Sequence, residues 1–390
     1  MTLIYLVAGE ASGDALAARL VAALRARRPD LTFAGIGGRL LAEQGVTSLF
    51  PMQELALFGL LEVLPKLRLL ARRLAETKAD ILARQPAIVV TIDSPGFTLR
   101  LLRKLAGGPI PAIHYVAPQV WAWREGRVRS YHGLWRELLC LLPFEPAFFA
   151  RHGLAARFVG HPVLESGADR GDGARARARH NIAADAPVLL LLPGSRLSEV
   201  RRLAPRFEIA ARLLRQRHPN LVCLLIAAPA ISAQVRRFVA GWHTAPIVID
   251  DDARKHDAFA AATAALSKSG TSNLELALAG VPMVVVYRVN PISAAIARRL
   301  ITIKFASLVN LLSGRELVPE LLQENATAQN FAAALAPLLE AGAPADAQRA
   351  GFAALRASLT PPEGTPSQAA AAAVLAQLEQ HRADRNRSGR

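Results

Sequence analysis

With 390 residues, 52% of them apolar, the chain is long enough for two or three domains with sizeable cores. Its 47 Lys and Arg against 31 Asp and Glu leave a net charge of +16, which favours phosphorylated or polyanionic partners. Aromatic residues make up 6% and are not interleaved with the basic ones, which argues against nucleic acid. The two cysteines, Cys140 and Cys223, lie far apart in apolar runs, so a reducing cytoplasm is expected rather than a disulfide framework. The opening run to Glu10 is too short for a signal peptide, and no run of about 18 uncharged apolar residues predicts a membrane span.

Leu3 to Ala8 reads as a buried strand, Gly9-Glu10-Ala11-Ser12-Gly13-Asp14 as its turn and Ala15 to Arg28 as a helix. The turn lacks the full dinucleotide fingerprint, and Glu10 and Asp14 would repel a phosphate, so a hydroxyl-bearing ligand suits it better. N-capping is the competing role for both, Asp14 first. The loop Gly35-Ile36-Gly37-Gly38-Arg39 after the next strand is either a close approach to a ligand or a tight turn. Leu55 to Leu64 is apolar nearly all round, and Pro65 leads into a helix carrying Lys66, Arg68, Arg72 and Arg73. A buried helix running on into a solvated one competes with an interfacial element, which we take as the expectation. In that reading Leu57, Phe58, Leu60, Leu61 and Leu64 meet lipid beside a basic face.

Ala87 to Ile92 is a buried strand, and Asp93 follows at its C-terminal end, the ligand edge of an open α/β sheet. Asp93 is either a general base or a cap for the Phe97–Leu105 helix. The strand from Ala112 runs into a loop with Trp121, Trp123 and Arg124, which lines a site or seals an edge. His161 reads as a hinge residue bonded to backbone, and the charged, helix-poor 165–186 as an interdomain linker.

The pattern then restarts with a strand from Val188 to Leu192, the turn Pro193-Gly194-Ser195-Arg196 and a helix from Glu199 to His218. Later, the strand from Ala264 leads into Ser269-Gly270-Thr271, a helical run from Asn273 to Ala279 and a β-branched strand from Met283 to Tyr287. A small turn feeding a helix leaves several amides free, and the helix dipole adds partial positive charge, which suits a phosphate or diphosphate. Glu275, one turn further on, could accept hydrogen bonds from paired sugar hydroxyls. A capping box with Thr271 or Ser272 carries equal weight. Asn310, in an apolar run, is a turn residue or a ligand contact. The expected organisation is a first domain over 1–164, a linker over 165–186, a second domain over 187–380 with a helical extension, and a disordered tail over 381–390.

The stretch from Ser267 to Arg288 resembles the nucleotide-sugar site of two-Rossmann, GT-B glycosyltransferases. Further blocks are Ala8 to Asp14, Val90 to Pro95, Tyr115 to Arg124, Leu141 to Pro146, Phe158 to Pro162, Leu192 to Arg196, and Asn310 ahead of Glu316 to Gln323. In this order they resemble the lipid-A-disaccharide synthase family from residue 4 to residue 325, with Gly96 and Thr98 where that family usually has Asp and Asn. The resemblance implies an α/β protein with two Rossmann-like domains of GT-B type facing across a cleft. It implies an inverting transfer of 2,3-diacylglucosamine from its UDP derivative to 2,3-diacylglucosamine 1-phosphate, giving a β-1′,6-linked disaccharide and UDP. Asp93 is then the catalytic base, with Glu10 the second choice. Arg196, Ser269, Gly270, Thr271, Glu275 and Asn310 bind the UDP-sugar. No cofactor or metal is expected: Asp250-Asp251-Asp252 has the Asp-x-Asp spacing of metal-dependent transferases but reads as a helix-starting loop. Peripheral association with an anionic inner-membrane surface is implied, and a homodimer is left open. The rivals are another GT-B transferase on a lipid-linked acceptor, a UDP-sugar 2-epimerase, and a non-catalytic nucleotide-binding scaffold at the membrane surface.

Overall fold

The computed structural model describes residues 2–55, 60–290, 303–340 and 342–388, in two compact units: Met1–Pro162 with Leu359–Arg390, and Val163–Ser358. The first unit is a parallel sheet of β1 (Thr2–Ala8), β2 (Leu31–Ile36), β3 (Ile88–Ile92), β4 (Ala112–Tyr115), β5 (Glu137–Cys140) and β6 (Ala156–Phe158). Its strand order is β2-β1-β3-β4-β5-β6. Ile4 to Ala8 and the whole of β3 are buried, as expected for parallel strands covered on both faces. The order reverses between β1 and β3, where Ala8 pairs with Ile92. Ligands of open α/β sheets bind beyond the carboxyl ends of strands at such a reversal.

The second unit repeats the plan with β7 (Val188–Leu192), β8 (Val222–Ile226), β9 (Ile247–Ile249), β10 (Ala264–Lys268), β11 (Met283–Tyr287) and β12 (Glu320–Leu322). Here the order is β12-β11-β10-β7-β8-β9, and the reversal lies between β7 and β10, where Leu192 pairs with Ser267.

Two boundaries differ from the sequence expectation. Residues 165–186 are not a linker: the helix Gly173–Arg179 packs on the helix Asp252–Ala261 inside the second unit. A Cβ on Gly171 or Gly173 would sit 1.9 Å from the His256 carbonyl oxygen or 2.6 Å from that of Ala260, so only glycine permits this contact. The Arg175 guanidinium clamps the Asp257 carboxylate at 2.7 and 2.6 Å, so the charge cluster that suggested a linker is a docking surface. Nor does the last helix extend the second unit. The helix Pro366–Ser388 buries Ala370, Ala371, Ala373, Val374 and Leu378 in the first unit's core, with Leu16, Leu20 and Leu24 of the helix Ala11–Arg27. Small side chains let the two helices approach closely. The expected tail is helical to Ser388 and tied down by Arg136 to Asp384 at 2.9 Å.

The helix Leu60–Arg84 runs through Pro65. Leu57 and Phe58 lie outside the described residues, as do the side chains of Leu60, Leu61, Leu64 and Lys66. From Leu70 onward the helix buries Leu70, Leu74 and Ile81. Arg73 is not a free basic group. It pairs with both oxygens of Glu54 at 2.7 and 2.9 Å and with Glu76 at 2.5 Å, and it lies over the Phe50 ring.

Candidate active site

At the first unit's reversal, β3 ends in a sharply bent turn. Asp93 and Ser94 both adopt left-handed backbone conformations, with φ of 53° and 47°, each costing about 1 kcal/mol or more for a residue with a side chain. Local bonds hold the bend. The Asp93 amide donates to the Tyr115 carbonyl at 2.9 Å, and the Thr98 hydroxyl donates to the carbonyls of Asp93 and Ser94 at 2.7 and 3.0 Å. The Asp93 carboxylate accepts the Ser94 amide at 2.8 Å and the Ser12 hydroxyl at 3.3 Å, but no amide from within the helix Pro95–Leu105. Among the described residues no Lys or Arg pairs with it. Gly9 is needed here, because a Cβ would lie 2.7 Å from the Ser94 hydroxyl oxygen. Glu10 is the N-cap position of the helix Ala11–Arg27, yet its side chain makes no capping bond. Two carboxylates therefore stand at the carboxyl ends of neighbouring strands.

The second unit's reversal is built with the opposite charge. After β7, Gly194 turns the chain with φ of 125° into exposed Ser195 and Arg196. Glu199, in the first turn of the helix Leu197–Arg215, accepts the amides of Ser195 and Arg196 at 3.1 and 3.3 Å. Its other oxygen pairs with Lys268 at 3.1 Å and the Arg196 side chain at 3.4 Å. Burial alone would raise Glu199, but these donors hold it below the usual carboxylate range. Ser269-Gly270-Thr271 follows β10, with the Ser269 hydroxyl donating to the Ala306 carbonyl at 2.7 Å. Neither Thr271 nor Ser272 caps the helix Ser272–Leu278 through its side chain, so Glu275 closes no capping box. Both Glu275 oxygens instead accept from Lys255, at 2.9 and 3.0 Å.

A family model described as lipid-A-disaccharide synthetase matches residues 4–374. The chain belongs to the lipid-A-disaccharide synthase family. It is 54% identical to the lipid-A-disaccharide synthase of Gluconobacter oxydans (95% of this chain, 90% of that one) and 54% identical to that of Granulibacter bethesdensis (97% and 99%). Its fold is similar to that of Acinetobacter baumannii MurG, with a TM-score of 0.58 at 14% identity over 96% of this chain and 99% of that one. It is thus an enzyme of lipid A disaccharide synthesis with the GT-B fold.

Several residues singled out in this synthase from sequence have other duties. Asn310 is fully buried and uses all four hydrogen-bonding positions of its amide. It donates to the Val318 carbonyl and Glu320 at 2.8 Å each, and accepts the amides of Leu317 and Val318 at 2.8 and 2.9 Å. It is a residue of the helix Leu308–Ser313 whose amide holds the following 317–320 segment, with nothing left for a nucleotide. Glu320 also takes the amides of Ala306 and Ser307, so this cluster supports the segment that receives the Ser269 hydroxyl. Asp14 caps, but not its own helix: its buried carboxylate accepts the amides of Gly38, Leu40 and Leu41 at 2.7, 2.9 and 3.1 Å. The Gly35–Gly38 loop therefore wraps Asp14. Asp250 accepts from the Ser232 hydroxyl and pairs with Arg236 at 2.9 Å, while Asp251 caps the helix Asp252–Ala261.

Trp121 donates to Glu145 at 3.0 Å and packs, half-buried, against the first unit's core, whereas Trp123 is exposed beneath the Arg124 guanidinium at 4.2 Å. Burial raises Glu145 to about 7 despite that bond and the amides of Leu141 and Leu142. The His161 amide donates to the Leu359 carbonyl at 3.0 Å, and burial lowers its imidazole to about 4. Sequence reading missed Glu199, Lys268 and Lys255. The available signal was position: Glu199 three residues after the Arg196 turn, and Lys268 directly before Ser269.

Proposed function

We propose that this synthase transfers 2,3-diacylglucosamine from its UDP derivative to 2,3-diacylglucosamine 1-phosphate, forming a β-1′,6 linkage with inversion and releasing UDP. The observation that carries this reading is the chemical contrast of the two reversal points. One offers Glu10 and Asp93; the other offers Arg196 and Lys268 beside a glycine turn. Asp93 takes the proton of the acceptor hydroxyl as that oxygen bonds to the anomeric carbon, with Glu10 as the alternative base. The bond from the anomeric carbon to the diphosphate breaks, and its electron pair leaves with UDP. Arg196 and the turn Ser269-Gly270-Thr271 neutralise the leaving diphosphate, so that no metal is required. Glu275 accepts the ribose hydroxyls, and Asn310 supports the site through Glu320, which holds the Ala306 amide behind the Ala306–Ser269 contact.

Both substrates carry acyl chains, and among the described residues no helix is long and apolar enough to cross a membrane. Leu57, Phe58, Leu60, Leu61 and Leu64, followed by Lys66, Arg68 and Arg72, supply an apolar and basic face for the anionic inner-membrane surface. The test is a turnover assay with both diacylated substrates together and each alone. UDP is expected only when both are present. Conversion of the UDP-sugar without acceptor would replace the transferase reading with an epimerase, and silence in all three would leave a binding protein.

A further inference from the structure

Lys255 lies in the helix Asp252–Ala261 and Glu275 in the helix Ser272–Leu278, 20 residues apart. The Lys255 ammonium donates to both Glu275 oxygens at nearly equal distances, 2.9 and 3.0 Å, and both side chains are mostly buried, 19% and 15% exposed. Among the described residues the Glu275 carboxylate has no other partner. The helix that carries Lys255 is itself anchored. The residue after its neighbour, Asp257, is clamped by Arg175, and the His256 carbonyl abuts Gly171. We infer that Lys255 is a positioning residue for nucleotide binding, fixing and neutralising Glu275 so that its carboxylate can receive a ribose diol.

The inference rests on the assignment of Glu275 to the ribose and extends it. A carboxylate accepts about four hydrogen bonds, and Lys255 takes one on each oxygen, which leaves one on each for a ligand hydroxyl. The charge matters as much as the aim. Without Lys255, a mostly buried carboxylate would stand one helical turn from the Ser269-Gly270-Thr271 turn, where the diphosphate is proposed to sit. Desolvation and repulsion would then both oppose an anionic nucleotide.

The test compares UDP with 2′,3′-dideoxy-UDP by calorimetric titration into the full chain. Wild type should prefer UDP by about tenfold or more, the scale of hydrogen bonds to a charged group. Lys255→Met should bind UDP more weakly and keep a preference of no more than about twofold. Lys255→Arg, which still offers an N–H to each oxygen, should restore most of the preference. A thermal melt checks that each variant is folded, and Lys255→Gln serves if the methionine variant is not. A folded Lys255→Met or Lys255→Gln protein with the wild-type preference overturns the inference while leaving Glu275 in place. A wild type that does not distinguish the two ligands instead removes Glu275 from the ribose.

Discussion

The two units share an architecture and differ in what they set at the same place. In the first, the loops beyond β1 and β3 present Glu10 and Asp93, and among the described residues the Asp93 bend is held by backbone, Ser12 and Thr98 bonds. In the second, the loops beyond β7 and β10 present Arg196 and Lys268, and the nearby acids Glu199 and Glu275 are matched with lysines. The fold supplies the crevice, and a few loop residues decide whether it accepts a proton or an anion. This contrast underlies the proposed division of labour, with the base on one unit and the nucleotide on the other.

The largest expected effect breaks the first side of the contrast. Asp93→Asn keeps the shape but removes basicity, so kcat should fall roughly 10²–10⁴-fold in a turnover assay. Glu10→Gln should cost less; the reverse order would move the base to Glu10.

Acid should separate the units next. Burial lowers His114 and His161, both in the first unit, from 6.5 to about 4. Their neutral forms are favoured in the folded state, so this stability is complete above pH 6.5 and is lost as pH falls towards 4. Glu145 runs the other way: its rise from 4.5 to about 7 makes the first unit more stable as pH falls from 7 to 4.5. Two histidines thus oppose one carboxyl, and on balance the first unit loses stability as pH falls through this window. In the second unit Arg175 lowers Asp257 from 3.8 to about 2, and that stability is lost only as pH falls from about 4 to 2. Trp121, Trp123 and Trp135 report on the first unit and Trp242 on the second. Their fluorescence in single-tryptophan variants should show the first unit loosening at the higher pH; coincident transitions would refute the difference.

Lipid contact is also proposed for the first unit. Phe58→Ser with Leu61→Ser should weaken binding to anionic vesicles by up to about a thousandfold, at about 2 kcal/mol for each of the two side chains, and leave the melting temperature unchanged. A collapsed melt would mean that these residues are core.

On the nucleotide side, Glu275→Ala should weaken UDP binding by roughly 1–3 kcal/mol through lost hydrogen bonds. Asn310→Ala should chiefly lower the melting temperature, because it leaves the buried amides of Leu317 and Val318 unpaired. Equal affinity losses in the two variants would blur the distinction drawn between them.

What could be read from the sequence was local. The strand-turn units around Gly9, Asp93, Gly194 and Gly270 each lie within a dozen residues of apolar run, glycine and helix start, and both sheets follow from their repetition. Partners chosen across the fold were not legible. Nothing near Asp14 says that its carboxylate caps a helix 25 residues later, and nothing near Asn310 says that its amide is saturated by 317–320. The alanine-rich run after Pro366 has no local mark of a return to the first unit, since its core partners are Leu16, Leu20 and Leu24. The 165–186 segment misled because Arg175 and Asp172 look solvated until Asp257 is placed beside them.

The central claim is that proton transfer and nucleotide binding reside on different units. It is tested most directly by calorimetric titration of UDP into Asp93→Asn protein whose turnover has been measured in the same preparation. The account predicts a UDP affinity within about twofold of wild type beside a turnover at least about a hundredfold lower. An affinity that falls in step with turnover, in a protein with a wild-type melt, would contradict it.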